Sequence, residues 1–386
     1  MPDGREELTL RSVGGVGALA PGDWDACAGA DNPFVSHAFF QALEESGAAS
    51  PRTGWTPCHL AVEDGAGRAL GVAPLYAKTH SFGEYVFDWG WAEAWSRVGG
   101  RYYPKLQCAV PFTPVPGPRL LVRPEARSTG VGALLARGIA HLAAEMEWSS
   151  AHITFCTREE AELFAAQGWL TRLGEQYHWH NRGYRSFEDF LETLSSRKRK
   201  AIRKERERAN GHGLAIRTLT GGEIRARHWD AFHRFYLDTV ERKCAEAYLP
   251  REFFHRLGAE LGERVVLMVA EDGARMVAGA LNLLGGDALF GRNWGAAVDL
   301  PFLHFEMCYY RALDYAIARG LARVEAGAQG EHKISRGYLP VSTYSAHWIR
   351  EAPLRDAIAD FLLRERDLVA ADIAERQRLG PYRQVD

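Results

Sequence analysis

Hydrophobic and polar positions follow the same order of patterns twice along the chain. Each half opens with an alternating stretch typical of a strand, LTLRSV in the first half and LAIRTL in the second. Amphipathic helical spacing follows, and then come apolar runs around an Asp-Gly turn, which is typical of hairpins. Each half ends with a long helical pattern, a strand, a short helix and a last strand. We therefore predict an α/β fold with a mixed, helix-covered sheet, built twice.

Short sequence matches connect the two halves in the same order. HAFFQALEESG recurs as REFFHRLGAEL, VEDG as AEDG, and DWG as NWG, with offsets of 205 to 214 residues. Repetition at a steady offset is the mark of a duplicated structural unit. We interpret the matches as an internal duplication, with a first domain over residues 1–183 and a second domain, opening with a basic helix, over residues 184–386.

Composition and charge exclude several classes of protein. The 386 residues exceed one ordinary domain core, and a net charge of −2 means that any contact with a polyanion must be local. None of the six cysteines forms a CxxC pair or has zinc-ligand spacing with a histidine, so no metal is expected. The N-terminus does not resemble a signal peptide, and no apolar run is long enough to span a membrane. We expect a cytoplasmic protein, for which peripheral membrane contact stays open.

A basic segment opens the second half. SSRKRKAIRKERERA, residues 195–209, contains eight Lys or Arg and two Glu. A solvated charged helix usually alternates the sign of its charges, whereas four cations follow one another here. We interpret the segment as a local anion-binding surface with four candidate ligand-binding residues. These are Arg197, Lys198, Lys200 and Arg203.

A first group of candidate site residues surrounds the start of an apolar helical pattern. Trp294 and Gly295 end a predicted strand, and His304, Glu306 and Tyr310 follow on the first helical turns. Glu306 and Tyr310 are four residues apart and share a helix face. A buried glutamate is rare unless it is paired or functional, which makes Glu306 a candidate. For Tyr310, core packing is the alternative.

A second group lies in VEAGAQGEHKISRGYLP. Glu325 falls at the end of a predicted strand, where open α/β sheets bind ligands. Gln329, Lys333 and Arg336 crowd the next helix start, and the two cations can hold a carboxylate or phosphate. A solvated helix cap is the alternative for such a stretch. His347 on the last strand either completes a pocket or has a structural role.

The order of elements resembles that of a Gcn5-related N-acetyltransferase domain, and the tandem with a basic helical insertion is similar to the Fem-type transferases. The resemblance is closest to the FemAB-like, peptidoglycan biosynthesis/recognition family. It extends over nearly the entire chain and includes PLYAKTHSFGEYVFDWGWA, LSSRKRKAIRKERERA, GRNWGA and VEAGAQGEHKISRGYLP. It implies two tandem acetyltransferase-like domains and transfer of an acyl or aminoacyl group to an amine.

A glycine motif in the first half matches the acetyltransferase pyrophosphate loop. Arg127-x-x-Gly130-x-Gly132 follows a predicted strand and precedes a helix. Glycines allow backbone N–H groups to approach a ligand, and a helix N-terminus favours anions. The resemblance implies that Arg127, Gly130 and Gly132 bind coenzyme A, and the corresponding place in the second half lacks the glycines. A glycine-rich helix start without a ligand is the alternative.

The leading hypothesis is an N-acyltransferase that moves an acyl group from acyl-coenzyme A to a primary amine. Such a reaction requires a base for the amine proton, and Glu306, Glu325 and His347 are the candidates. His304, Trp294, Tyr310 and Gln329 would contact substrate, and Lys333 and Arg336 would orient an acidic acceptor or a donor phosphate.

Two alternatives stay open. In the first, the donor is an aminoacyl-tRNA and the basic helix binds RNA phosphates. In the second, the protein is a non-catalytic module that binds an anionic envelope precursor or lipid. The acceptor amine is open among a peptidoglycan precursor, an amino-lipid and a small metabolite.

Overall fold

The computed structural model describes residues 8–328 and 330–383. The strands are β1 (Thr9–Val13), β2 (Trp55–Pro57), β3 (His59–Glu63), β4 (Ala69–Ala73), β5 (Leu75–Lys78), β6 (Lys105–Cys108), β7 (Leu121–Val122), β8 (Ser150–Cys156), β9 (Leu170–His180), β10 (Ala215–Thr220), β11 (Val265–Asp272), β12 (Arg275–Leu284), β13 (Ala288–Ala296), β14 (Arg323–Glu325) and β15 (Leu339–Ile349).

The helices alternate with these strands as the hydrophobic pattern predicts. They are α1 (Pro21–Ala28), α2 (His37–Glu45), α3 (Trp89–Arg97), α4 (Val131–Glu145), α5 (Arg158–Ala166), α6 (Phe187–Glu192), α7 (Ser196–Asn210), α8 (Ala226–Arg242), α9 (Arg251–Leu261), α10 (Leu303–Phe305), α11 (Arg311–Ala318) and α12 (Ala352–Arg378). A π-helical segment, Glu306–Tyr310, joins α10 to α11, and Glu331–Arg336 is a 3₁₀ helix.

The chain forms two compact units. Unit 1 contains the chain up to Gly174 together with Thr343–Ala370, and unit 2 contains Glu175–Ser342 together with the chain from Ala371 onward. The chain passes from one unit to the other within β9 and again within β15. The predicted domain boundary between residues 183 and 184 stays a proposal about the duplicated sequence.

Unit 1 contains two groups of paired strands. One has the order β1-β3-β4-β7 with antiparallel neighbours. The other has the order β2-β5-β6-β8-β15, in which β6 and β8 are parallel and the remaining pairs antiparallel. The core of the unit gathers Leu60, Leu106, Ile153 and the α4 side chains Leu135 and Ile139.

Unit 2 contains one run of strands in the order β10-β11-β12-β13-β14-β9. Only β13 and β14 are parallel, and the other neighbours are antiparallel. The core packs Trp179, Met268, Leu289 and Val324 against Tyr310 and its helical neighbours. The parallel and antiparallel pairs of both units confirm the predicted mixed α/β fold class.

None of the helices within residues 8–328 and 330–383 combines the length and the apolar character needed to cross a membrane.

Helix α8 packs against the unit 2 strands through glycine positions. A Cβ atom built on Gly295 in β13 would lie 2.5 Å from Cβ and 2.6 Å from the backbone carbonyl carbon of Phe235 in α8. A Cβ on Gly279 in β12 would lie 2.8 Å from the ring of Phe232. These distances are far below ordinary van der Waals contact, so the helix and strands approach closely because the side chains are absent.

The first prediction tests the close packing of α8 against β13. Gly295→Ala is expected to lower the free energy of unfolding by about 1–3 kcal/mol, because the added methyl group must displace the α8 backbone. Urea denaturation followed by tryptophan fluorescence measures the change.

Gly262→Ala is the matched control. A Cβ on Gly262 has no neighbouring atom within 4 Å, and the residue has helical dihedral angles. An alanine there should leave stability unchanged or raise it slightly. Equal stability of the two variants would contradict the packing argument.

Candidate active site

The strands β13 and β14 separate at a point rich in functional side chains. Their parallel pairing ends at Phe290 opposite Glu325, whereas β13 continues to Ala296. A bulge against β12 leaves Arg292 out of the strand register at the same place. Gly291 allows the strands to meet closely, since a Cβ there would lie 3.3 Å from the Glu325 carbonyl oxygen. Beyond Glu325, β13 therefore continues without β14 as its neighbour.

Glu325 is a buried carboxyl with one unused oxygen. Its Oε1 accepts a hydrogen bond of 2.9 Å from Nε of Arg323, whose Nη1 also donates to Asp287 at 2.6 Å. Its Oε2 lies 3.6 Å from Nε2 of His178, the residue opposite it in β9. Within the described part of the chain, neither Oε2 nor that Nε2 has a hydrogen-bond partner. Buried polar atoms without a partner are uncommon, which marks this pair as a functional candidate.

Burial sets the protonation of the pair. It raises the pKa of Glu325 to about 7, against the opposing effect of the Arg323 guanidinium. Burial, together with the charges of His180, Arg323 and Lys333, lowers the pKa of His178 to about 3. At neutral pH the imidazole is therefore uncharged, and the carboxyl group of Glu325 is able to take up or release a proton.

Lys333 brings a buried ammonium group to the same neighbourhood. Its Nζ donates to the carbonyl oxygens of Ala326 at 2.5 Å and Gly327 at 3.4 Å. Burial lowers the pKa of Lys333 to about 8. An ammonium has three N–H donors, so one remains for a further acceptor. The predicted substrate contact Gln329, in the same loop, lies outside the described residues.

Aromatic and histidine rings cluster beside this lysine. The ring of His304 lies 5.3 Å from that of Trp294 and 5.4 Å from that of Tyr309, measured between centroids. The Tyr309 hydroxyl and His332 Nε2 are hydrogen-bonded at 2.9 Å. Burial and nearby positive charges, Lys333 among them, lower the pKa of His304 to about 4. Unit 2 thus brings together three of the sequence-predicted residues, namely Trp294, His304 and Lys333. The fourth, Glu325, contacts Arg323 and lies near His178.

Glu306 has a different environment from Glu325. It is fully buried at the start of the π-helical segment. Its carboxylate accepts hydrogen bonds from Arg206 at 3.0 and 3.1 Å and from Arg311 at 2.8 Å. Arg206 also donates to Asp314 at 2.6 and 3.1 Å. Two guanidinium groups occupy the oxygens of Glu306, one from Arg206 in α7 and one from Arg311 in α11. Glu306 therefore connects α7 to the π-helical segment and to α11.

Arg336 and Tyr310 are held by the same helix α7. Nη2 of Arg336 donates to both carboxylate oxygens of Glu205, at 2.8 and 2.9 Å, and the Tyr310 hydroxyl also donates to Glu205. Nη1 of Arg336 donates to the His332 carbonyl oxygen at 2.7 Å, and the guanidinium lies 3.5 Å from the Phe305 ring centroid. These contacts anchor the 3₁₀ helix that carries Lys333.

The outer face of α7 keeps most of its cations unpaired. Arg203 forms an ion pair with Glu188, and Arg206 forms the network described above. Of the residues that the structure describes, no carboxylate lies within 4.0 Å of the remaining cations in the first three turns. These cations are Arg197, Lys198, Arg199, Lys200 and Lys204.

The glycine loop of unit 1 has open backbone geometry. Gly130 has a φ of 83° and precedes α4, whose N-terminus has no side-chain cap. A Cβ built on Gly130 would meet no atom within 4 Å, and one on Gly132 would meet only Val122 at 3.9 Å. Arg127 is exposed. The free N–H groups and the open space fit an anion such as a pyrophosphate.

His347 belongs to unit 1 and forms part of a buried histidine pair. It lies opposite His152 in the strand register, and the two Nδ1 atoms are hydrogen-bonded at 2.7 Å. Nε2 of His347 bonds Ser345 at 3.0 Å, and Nε2 of His152 bonds Ser150 at 2.8 Å. Burial and the neighbouring imidazole lower the pKa of His347 well below its ordinary value.

This histidine pair leads to a buried ionic cluster that the sequence analysis missed. Nζ of Lys105 donates to Ser81 at 2.8 Å, Glu84 at 2.7 Å and Asp88 at 2.5 Å. The Tyr102 hydroxyl donates to the same Asp88 oxygen at 2.7 Å. Burial alone would raise the pKa of Asp88, but the Lys105 ammonium outweighs it and holds that pKa below its usual range. Lys105 thus fixes three positions of one loop.

A sequence signal for this cluster exists. The motif KTHSFGEYVFDWGWA combines charged residues with aromatic ones, and Lys105 is the one charged residue of the strand sequence KLQC. A charged residue in a buried strand is rare unless it is paired. Lys78 from the same motif lies 3.9 Å from Glu84 and 3.6 Å from the Trp55 ring centroid.

Comparison with known proteins identifies the family. The profile of the FemAB-like family, described as peptidoglycan biosynthesis/recognition, matches residues 15–384. The chain belongs to the FemAB-like family. This confirms the resemblance stated from the sequence motifs, although none of the curated proteins matches the chain significantly.

Solved structures share the FemAB-like fold at low sequence identity. FemX aligns with a TM-score of 0.55 and 11% identity, covering 88% of this chain and 98% of FemX. The C-terminal domain (DUF2156) of a protein assigned as a lysylphosphatidylglycerol synthetase from Agrobacterium fabrum aligns with a TM-score of 0.54 and 8% identity, covering 88% and 94%. L-PGS from Bacillus licheniformis aligns with a TM-score of 0.51 and 11% identity, covering 86% of this chain and 98% of L-PGS.

Membership in the FemAB-like family associates the chain with peptidoglycan biosynthesis or recognition. The solved structures share its fold over 86–88% of the chain.

The second prediction tests the ionic cluster of unit 1. Lys105→Met is expected to lower the free energy of unfolding by about 3–5 kcal/mol, because two buried carboxylates lose their cation. Burial already raises the pKa of Glu84 to about 7 against the effect of Lys105, and without that cation it rises further. The pKa of Asp88, which Lys105 holds below its usual range, rises above its unfolded value. The destabilisation should therefore be largest at pH 8 and smaller at pH 5, as urea denaturation at both pH values would show.

Two variants control this experiment. Lys105→Met combined with Glu84→Gln and Asp88→Asn removes the unpaired charges and should recover much of the loss. Lys204→Met removes an exposed lysine and should change stability by less than about 0.5 kcal/mol. A Lys105→Met protein as stable as the wild type at pH 8 would refute the role of this lysine.

Proposed function

We propose that this protein transfers an acyl group from an activated thioester or ester to a primary amine at the point where β13 and β14 separate. The observation that carries the proposal is the Glu325 carboxyl group. It is buried, has a pKa of about 7, and retains one oxygen without a partner where the two strands separate. These are the properties of a general base that works near neutral pH.

The proposed reaction is a direct displacement. The amine nitrogen attacks the carbonyl carbon of the donor, an N–C bond forms, and the C–S bond of a thioester or the C–O bond of an ester breaks. Glu325 Oε2 accepts the proton that the amine loses. The thiol or alcohol leaves with a proton from Lys333, whose lowered pKa of about 8 suits a general acid. Solvent then restores both groups.

Lys333 also stabilises charge in this scheme. Its third N–H is directed to the oxygen that becomes negative when the nitrogen attacks. A buried ammonium stabilises such an oxyanion more than one in water does, because the surroundings are less polar. His304, Trp294 and Tyr309 supply an aromatic wall for the substrate. The sequence predicted Glu306 as a base and Arg336 and Tyr310 as substrate contacts. In this proposal the three residues position α7 and the 3₁₀ helix.

For the donor we propose acyl-coenzyme A. In unit 1, the open glycine loop at Arg127, Gly130 and Gly132 supports coenzyme A as a ligand of this protein, because uncapped backbone N–H groups suit a pyrophosphate. The acceptor is a primary amine of an envelope component, either a peptidoglycan precursor or an amino-lipid.

An aminoacyl-tRNA donor is the second candidate. The unpaired cations of α7, from Arg197 to Lys200 together with Lys204, favour it because phosphates of RNA would neutralise them. FemX and a lysylphosphatidylglycerol synthetase are among the proteins of similar fold. Mass spectrometry of ligands that co-purify with the recombinant protein separates the candidates. Coenzyme A without RNA supports acyl-coenzyme A as the donor, and charged tRNA supports aminoacyl-tRNA. If neither ligand co-purifies and no turnover is found, the result favours a non-catalytic binding module.

The third prediction tests Glu325 as the base. Glu325→Gln is expected to lower kcat/KM by at least about 100-fold, the lower value for a general base. In the wild type, kcat/KM should rise with pH through about 7 as Glu325 loses its proton and fall above about 8 as Lys333 loses its own. Release of coenzyme A thiol from acyl-coenzyme A, measured with a panel of amines between pH 5 and 10, gives the profile.

Glu306→Gln is the comparison variant. It should lower stability, because Arg206 and Arg311 lose a charged partner, and yet keep the rise of kcat/KM near pH 7. Lys333→Met should remove the fall of kcat/KM above pH 8. Undiminished turnover of Glu325→Gln would refute Glu325 as the base, and undiminished turnover of both glutamine variants would exclude either glutamate as the base.

A further inference from the structure

A groove on unit 2 lies along one face of α8, apart from the residues proposed for the reaction. Its volume is about 630 Å³, which is within the usual range of ligand sites. One wall is the α8 face that carries Arg227, Arg234 and Phe235. The other wall is formed by Arg275 at the turn between β11 and β12 and by the chain that follows Ala296 at the end of β13.

The groove contains positive charge that the protein does not neutralise. Two of its carboxylates already have cations, since Asp238 pairs with Arg242 at 2.6 Å and Glu271 pairs with Arg217 at 2.9 Å. Asp299 is the remaining acidic residue of the lining.

Three arginines of the groove lack an acidic partner. In the described ranges 8–328 and 330–383, no carboxylate lies within 4.0 Å of Arg227, Arg234 or Arg275. Arg227 contacts only the neighbouring His228 ring nitrogen, at 3.3 Å. The lining therefore contains three guanidinium groups without an acidic partner and one unpaired carboxylate, that of Asp299. Exposed arginines that line a cavity and have no acidic partner are suited to an anionic ligand.

The floor between these arginines is apolar. Phe235, Met276 and Ala296 are buried side chains of the lining, and Ala231 and Val298 extend the surface. Arg227 and Arg234 are seven residues apart on α8, so their Cα atoms are separated by about 10 Å along the helix axis. A free inorganic ion would contact one end of the groove and leave the apolar floor uncovered.

We infer that this groove binds a phosphate ester whose organic part is apolar. The planar guanidinium fork matches phosphate oxygens in pairs, which an ammonium group does not do. The apolar floor would cover the organic part, and the arginines would hold the phosphate. The inference does not depend on the proposed reaction, because binding is measured without turnover.

Two sources provide this chemistry. One is coenzyme A, in which a pyrophosphate links a nucleotide to a pantetheine arm. The other is a glycerophospholipid, in which a phosphodiester links a headgroup to acyl chains. The shared group is a phosphate ester, and inorganic pyrophosphate serves as a probe of the phosphate contacts that carries no organic part.

The fourth prediction concerns this probe. Isothermal titration of the full chain with inorganic pyrophosphate at low salt is expected to show binding that weakens as salt increases. The double variant Arg234→Ala/Arg275→Ala should weaken that binding at least tenfold. Circular dichroism and urea denaturation should show an unchanged fold, since both side chains are exposed.

A charge-matched control decides whether the groove is responsible. Arg137→Ala/Arg378→Ala removes two exposed arginines outside the groove and should change the dissociation constant by less than twofold. An equal loss in both double variants would overturn the inference, because general electrostatic attraction would then explain the binding. Absence of pyrophosphate binding to the wild type would overturn it as well.

Competition identifies the source of the ligand. Coenzyme A and short-chain phosphatidylglycerol, added separately below its micelle concentration, are tested for displacement of pyrophosphate. Displacement by coenzyme A assigns the groove to a nucleotide, and displacement by the lipid assigns it to a phospholipid. Ala297→Trp narrows the groove without changing its charge. This variant should weaken binding of the organic competitor more than binding of pyrophosphate. Displacement by neither compound would refute the proposed ligand class.

Discussion

The site of unit 2 depends on the short parallel pairing between β13 and β14. Strand β13 has nine residues, but its pairing with β14 ends at Phe290 opposite Glu325. Had the pairing continued, the space beyond Glu325 would be filled by a neighbouring strand. The pairing ends next to the register shift at Arg292, and Glu325 is the last residue of β14. Burial at this position raises the pKa of Glu325, and its Oε2 has no hydrogen-bond partner among the described residues.

The buried acids differ in how their charge is compensated, and the difference assigns them different roles. Glu306 accepts hydrogen bonds from two guanidinium groups, which hold it as an anchor. Asp88 shares the Lys105 ammonium with a second carboxylate and fixes a loop. Glu325 has one guanidinium on one oxygen and a neutral imidazole near the other. Partial compensation makes ionisation costly enough to raise its pKa and leaves the proton available.

The sequence predicted what depends on local pattern. The alternating and helical spacing predicted the mixed α/β fold, and the sequence pattern correctly placed Glu325 at the end of a strand. The catalytic role of Glu325 stays a prediction. It did not predict that Glu306 would pair with Arg206, one hundred residues away, since such a pairing depends on how α7 packs. The Lys105 cluster was missed for the same reason. Its motif was visible, but the lysine that holds the loop lies on a separate strand, and sequence spacing does not reveal which buried charges meet.

The basic helix α7 shows how one segment combines two roles. Near its middle, consecutive residues Glu205 and Arg206 reach Arg336 and Glu306, so this part of the helix is fixed by ion pairs of both signs. The cations from Arg197 to Lys200 lie N-terminal to these anchors and have no such partners among the described residues. Their mutual repulsion costs free energy that the anchors offset. The anion-binding hypothesis therefore concerns the first turns of α7, because the later turns are already neutralised by the protein itself.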